Sequence, residues 1–163
     1  STRGIIVTGQ ENHPILRGIG DGDIWGPTDV YGVRLPLPGD CQPLVLGQVL
    51  SGMQPEDPPA GPLEDRKTKK TVDPNNPMMP IAWVKTYAGK EGKPARVFTS
   101  TIGASQDLES EGVRRMFVNA SYWALGMEDK LPSKAKVDLV GEFRPSRFAF
   151  GGFVKNRLPQ DYR

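Results

Sequence analysis

The sequence predicts an α/β fold, and the prediction depends on the stretch from residue 81 to residue 126. Residues 81–87 and 96–102 are apolar, β-branched runs separated by a turn that is rich in glycine. After Gly103, apolar side chains recur at helical spacing, and Gly126 follows where a helix commonly ends at glycine. In α/β folds, a strand that leads through a short polar loop into a helix often presents ligand-binding groups.

The helix predicted in this stretch covers residues 108–125. Its apolar positions predict one face that packs against the sheet. We expect Val113, Phe117, Ala120 and Ala124 to be buried on that face.

The segments before this stretch predict shorter elements. Residues 4–8 and 43–50 are β-rich and predict two strands of the same sheet, and residues 30–33 predict a further short strand. Pro14 predicts the start of one helical turn. Residues 51–80 carry seven prolines and a basic cluster, which indicates a long Pro-rich loop that is either a solvated excursion or a lid or partner contact.

Composition and charge exclude several classes of function. The 163 residues suit one domain, and the net charge is +2. Nucleic acid and anionic membranes usually require a concentrated excess of Lys and Arg, so neither is an expected partner. No apolar run reaches the ~18 residues of a membrane span. One cysteine and one histidine form neither an internal disulfide nor a Cys/His metal site, and we expect no metal and no cofactor.

Five motifs resemble those of the ThuA-like (trehalose utilisation) family, in order and in spacing. The resemblance covers about residues 4–127. The motifs are HPILRG at 13–18, TDVY at 28–31, PIAWVKTY at 80–87, ARVFTSTIG at 95–103 and NASYWALG at 119–126.

The resemblance implies a flavodoxin-like three-layer sandwich, similar to class I glutamine amidotransferases, and a role in sugar utilisation. It implies that residues 1–127 are the C-terminal portion of such a domain, so the sandwich is incomplete. Residues 128–163 are then an extended tail, rich in Pro, Gly and Phe, that packs on the domain. The implied partners are a sugar or sugar-derived small molecule and either the missing N-terminal half-domain or a second copy of the chain.

The N-terminal third supplies four candidate ligand-binding residues. His13 is a candidate sugar or metal ligand or general base, or a ring that bonds a backbone carbonyl and fixes the His-Pro turn. Trp25 stacks on a sugar ring, is buried in the core or anchors a loop. Asp29 and Tyr31 are candidates to bind sugar hydroxyl groups, and Asp29 alternatively caps a turn.

Three more candidates follow Gly103. Ser105, Gln106 and Asp107 lie at the predicted N-terminus of the helix, where they either cap it or help to bind an anion or an acidic sugar. Ala104 stands where the ThuA-like family usually has a histidine. A Cys-His-Glu triad is not expected, because Cys41 precedes a strand rather than a helix.

Three classes of function follow from the sequence. The first is a ThuA-like enzyme that transforms a trehalose-type sugar at the ends of the sheet strands. The second is a non-catalytic sugar-binding domain, which Ala104 and the missing half favour. The third is an accessory or assembly subunit, which the long loop and the aromatic tail favour.

Overall fold

The computed structural model describes residues 1–147 and 151–162. Within these residues, a five-stranded antiparallel sheet curls into a half-barrel, one α-helix packs against it, and two short strands of the Pro-rich loop form a separate antiparallel pair. The strands are β1 (Thr2–Ile6), β2 (Trp25–Gly26), β3 (Gln42–Val49), β4 (Leu63–Glu64), β5 (Thr71–Val72), β6 (Met79–Ala88) and β7 (Pro94–Ser100), and the helix is α1 (Glu111–Ala124). Short 3₁₀ helices cover Pro14–Leu16, Asp107–Glu109, Glu128–Lys130 and Pro159–Tyr162.

The main sheet has five strands in the order β2-β1-β3-β6-β7, and every neighbouring pair is antiparallel. The predicted α/β class, with its flavodoxin-like, glutamine amidotransferase-like three-layer sandwich, is therefore wrong. That architecture requires parallel strands joined by crossover helices on both faces of the sheet. A parallel connection needs a dozen or more residues, but only residues 89–93 join β6 to β7, so the chain returns antiparallel.

Most of the individual strands were nevertheless predicted correctly. Residues 81–87 lie within β6, and residues 43–50 and 96–102 overlap β3 and β7 of the same sheet. The strand predicted at residues 30–33 is wrong, because this segment forms no ladder among the described residues. Val30 instead packs against the core with a half-buried side chain.

Helix α1 covers the sheet with the predicted face, apart from one position. Val113 and Ala120 are buried and Phe117 is half-buried, as expected, but Ala124 is exposed. Ala124 is the last residue of α1, so it lies in the final turn of the helix, where the side chain is exposed. Gly126 has φ = 68°, which confirms the predicted glycine after the helix.

The core lies between the sheet and α1. Its completely or almost completely buried side chains come from the first 3₁₀ helix, from the residue before β2, and from β3, β6 and α1: Ile15, Leu16, Ile24, Leu44, Val45, Ile81, Ala82, Val113 and Met116. Asn119 is also buried, and its Nδ2 donates to Ile15 O at 3.0 Å and to Arg17 O at 2.9 Å. This side chain therefore joins α1 to the first 3₁₀ helix.

The long loop and the tail are attached to the body by specific hydrogen bonds. Asn75 Nδ2 donates to Val49 O and Ala60 O, both at 3.0 Å, which returns the Pro-rich loop to β3. In the tail, Arg115 Nε donates to Ala135 O at 3.1 Å and Leu131 is buried.

Further along the tail, the aromatic side chains are more exposed. Phe143 is 37% and Phe153 is 71% exposed. Phe148 and Phe150, which were also expected to pack on the body, lie outside the described residues.

Candidate functional site

A groove of about 1180 Å³ lies where β7 ends and the chain leads into α1. Its walls come from the segment after β2, from the loop between β7 and α1, from the start of the Pro-rich loop, and from one residue of the tail. The lining residues are Trp25, Pro27, Thr28, Asp29, Tyr31, Met53, Gln54, Ser100, Thr101, Ile102, Gly103, Ala104, Gln106, Glu109, Phe117 and Arg147.

Asp107 is buried beneath the groove surface and connects two of the groove walls by hydrogen bonds. It is completely buried, and its carboxylate accepts from Thr28 Oγ1 at 2.7 Å and from the backbone N–H groups of Gly103 and Ala104, each at 2.9 Å. A side chain at Gly26 would come within 2.2 Å of Asp107 Oδ1, so β2 approaches this carboxylate closely because residue 26 is glycine. The two walls are therefore joined through one side chain.

Four of the seven candidate residues line the groove. Trp25 is half-buried, Asp29 is exposed, Tyr31 is 62% exposed and Gln106 is half-buried. They come from two segments that are far apart in sequence and that Asp107 joins. The indole Nε1 of Trp25 donates to Ser1 Oγ at 3.3 Å, so the ring is fixed in place by a bond on its edge.

The other three candidates have different positions. Asp107 lies behind the groove wall, where its oxygen atoms are used by protein donors. Ser105 is exposed beside the groove, and its Oγ donates to Ser146 O at 3.1 Å. The remaining candidate, His13, is elsewhere, in a separate pocket of about 480 Å³.

His13 has a structural environment near the C-terminal end of α1. Its Nδ1 accepts from Ile15 N at 3.2 Å, and its ring centroid lies 5.6 Å from that of Trp123. The ring therefore bonds to the backbone of the His-Pro turn, but its partner is an N–H group and not the carbonyl that was expected. Partial burial lowers the pKa of His13, and the positive charge of Arg96 lowers it further, while Glu128 acts in the opposite direction.

The groove combines aromatic surface with groups that form hydrogen bonds. Trp25, Tyr31 and Phe117 supply aromatic carbon, and Ile102 and Met53 supply aliphatic surface. The amides of Gln54 and Gln106 both donate and accept, the carboxylates of Asp29 and Glu109 accept, and the Arg147 guanidinium donates. A largely apolar cleft with a few convergent polar groups is the usual form of a small-molecule site.

Sequence reasoning missed several of these lining residues. Met53 and Gln54 belong to the Pro-rich loop, and Arg147 belongs to the tail, where no periodic pattern indicates which side chains face the body. Phe117 was assigned only to the core, although it also forms part of the groove wall. The helical periodicity identified its buried side but carried no signal for the groove.

Two further searches concern metals and membranes. Within residues 1–147 and 151–162, no three His, Cys, Asp or Glu side chains are grouped closely enough to hold a metal ion. None of the described helices has the length and apolar character needed to cross a membrane.

Comparison with known proteins supplies no relative: no family model, no curated protein and no solved structure matches this chain. Inferences about function therefore begin from the groove and from the sequence motifs.

Proposed function

We propose that the protein binds a carbohydrate in the groove beside β7. The observation that carries the proposal is that Trp25, Asp29, Tyr31 and Gln106 line one groove, although they come from separate segments. The C–H faces of a sugar ring pack on aromatic rings, and sugar hydroxyl groups bond to carboxylates and amides. These four side chains supply both kinds of contact.

The resemblance to the ThuA-like family implies a sugar of the trehalose type and so supports a carbohydrate ligand, although the flavodoxin-like fold that it also implies is not observed. Two of its five motifs, at residues 28–31 and 95–103, contribute directly to the groove walls. A groove of about 1180 Å³ is large enough for a disaccharide, since drug-sized ligands occupy sites of roughly 300–1,000 Å³. We propose binding rather than a particular reaction.

Titration of the protein with trehalose, glucose and glucuronate, followed by isothermal calorimetry, tests this proposal. Asp29→Asn weakens an acceptor for a sugar hydroxyl group, and we expect a loss of affinity of about tenfold. Tyr31→Ala removes aromatic surface, and we expect a loss of about fivefold. Tyr87→Ala is the matched control, because Tyr87 is 58% exposed and is not part of the groove.

Intrinsic fluorescence locates the binding event. The chain has three tryptophans, of which Trp25 lines the groove. A sugar that changes the emission of the native protein should have little effect on emission from Trp25→Phe. Absence of binding by all three sugars, or equal losses in Tyr31→Ala and Tyr87→Ala, would contradict the proposal.

Self-association along β7 is a second candidate function, because β7 ends the main sheet. Thr101 N donates to Ile81 O at 2.9 Å, so the alternation of an antiparallel ladder directs the backbone groups of Phe98 and Ser100 away from β6. Such an edge recruits another strand. The flavodoxin-like half-domain expected as a partner belongs to a fold that is not observed, so we propose a second copy.

Sedimentation across a range of protein concentrations tests this second candidate. Ser100→Pro removes one outward N–H group and leaves the backbone ladder to β6 intact, and Ser100→Ala is the control for the hydrogen bonds that Ser100 Oγ donates to Ile81 O and Ile102 O. We expect the native chain to dimerise and Ser100→Pro to dimerise more weakly. A native chain that stays monomeric at every concentration, or a dimer that Ser100→Pro leaves unchanged, would contradict pairing along β7.

A further inference from the structure

We infer that the carbohydrate bound in the groove is a sugar acid and that Arg147 binds its carboxylate. The inference rests on the proposed function and names the class of ligand for the same site. It follows from the position of Arg147, from the groups that are already occupied around the groove, and from the other charges in the lining.

Arg147 reaches the groove because the tail is attached to the loop after β7. Ser105 Oγ donates to Ser146 O at 3.1 Å, which brings the next residue of the tail to the groove. Arg147 has no carboxylate partner among the described residues. Arg144, three positions earlier in the tail, donates from Nε to Glu142 Oε1 at 2.6 Å and does not line the groove.

Two backbone N–H groups beside the groove are not free to bind an anion. Those of Gly103 and Ala104 donate to the buried carboxylate of Asp107, each at 2.9 Å. Within the described lining, Arg147 is the one positively charged side chain. Its planar guanidinium matches a carboxylate with two parallel hydrogen bonds.

The other charged lining residues can bind the uncharged hydroxyl groups of the same ligand. Asp29 and Glu109 carry carboxylates, which accept hydrogen bonds and so match the hydroxyl groups of a sugar ring. The same two residues would attract an amino sugar, whose charge Arg147 would repel. A sugar acid can direct its carboxylate to Arg147 and its hydroxyl groups to Asp29 and Glu109. Each of the three charged side chains then has a hydrogen-bonding partner on the ligand.

The test compares three monosaccharides of one ring type: glucuronate, glucose and glucosamine. Calorimetric titrations use the full chain as wild type, as Arg147→Gln and as the control Arg144→Gln. We expect wild type and Arg144→Gln to bind glucuronate about tenfold more tightly than glucose. We expect Arg147→Gln to bind glucuronate and glucose with equal affinity. Added salt should weaken the binding of glucuronate by the wild type more than its binding of glucose.

Each outcome bears on one of the two proposals. Equal affinities for glucose and glucuronate in the wild type, or a preference for glucosamine, would overturn the sugar-acid inference and leave carbohydrate binding intact. A preference for glucuronate that Arg147→Gln retains would overturn the role of Arg147. Failure of these three sugars and of trehalose to bind would overturn the proposed function itself.

Discussion

Replacing Asp107 with alanine removes the acceptor that joins two walls of the groove. In the native structure this buried carboxylate accepts from the N–H groups of Gly103 and Ala104 and from Thr28 Oγ1. Alanine leaves these two backbone donors without their acceptor in a partly buried site. Thr28 lines the groove, so its hydroxyl group can turn to solvent and loses little.

The cost of this change follows from the two backbone donors. Each partly buried donor that is left unsatisfied costs about 1–3 kcal/mol, so Asp107→Ala, which leaves two, should lower the free energy of unfolding by about 2–6 kcal/mol. Asparagine keeps one oxygen for the two N–H groups, and its amide can donate to the Thr28 hydroxyl group. We therefore expect Asp107→Asn to cost only about 1–2 kcal/mol.

Urea unfolding, followed by circular dichroism, measures both costs. Asp138→Ala is the control, because Asp138 is exposed, and it should change the free energy of unfolding by less than about 0.5 kcal/mol. Sugar titration of the folded variants should show weaker binding for Asp107→Ala than for Asp107→Asn. If Asp107→Ala is as stable as the Asp138→Ala control, Asp107 does not hold the groove walls together.

Three other changes test the structure away from Asp107. Asn119→Ala leaves the carbonyls of Ile15 and Arg17 without their donor, so urea unfolding should show a loss of about 2–4 kcal/mol, and a loss below about 1 kcal/mol would contradict this. Thr101→Val removes a buried hydroxyl group that has no partner among the described residues, so stability should stay equal or rise by about 1 kcal/mol, and a clear loss would contradict this. Because the pKa of His13 is lowered in the folded state, the unfolded chain binds this proton more readily. Stability should therefore fall as the pH drops from above about 6.5 through the folded-state pKa. His13→Asn should reduce that fall in denaturation experiments between about pH 7.5 and 5.5, and an unchanged fall would show that other groups cause it.

Local patterns in the sequence identified most elements of the fold but not their arrangement. Period-two and helical spacing depend on neighbouring residues, so the segments that form β3, β6, β7 and α1 could be recognised. Strand direction depends on which segments pair, and this is decided by contacts between residues far apart in the chain. The connection from Gly103 to α1 was interpreted as the strand–loop–helix unit of an α/β fold, although β7 is an antiparallel edge strand.

The candidate site was predicted in part for a similar reason. The loop after Gly103 was identified from its position between a strand and a helix, and Gln106 does line the groove. Whether a polar side chain at such a loop faces solvent or the interior is not encoded in spacing. The sequence could not show that His13 lies outside the groove. Its distance from the groove residues depends on how the first 3₁₀ helix packs against α1 near Trp123.

The groove wall explains why adjacent polar residues have different roles. Where β7 ends, Ser100 Oγ donates to Ile102 O at 2.6 Å, and Asp107 accepts the next two backbone N–H groups. These bonds supply partners inside the protein for three backbone groups of the turn, as an irregular segment beside a core requires. Gln106 is therefore not needed to cap the turn, and its amide stays available to a ligand. A wall that is satisfied internally keeps its shape when the groove is empty, so ligand binding does not have to order it.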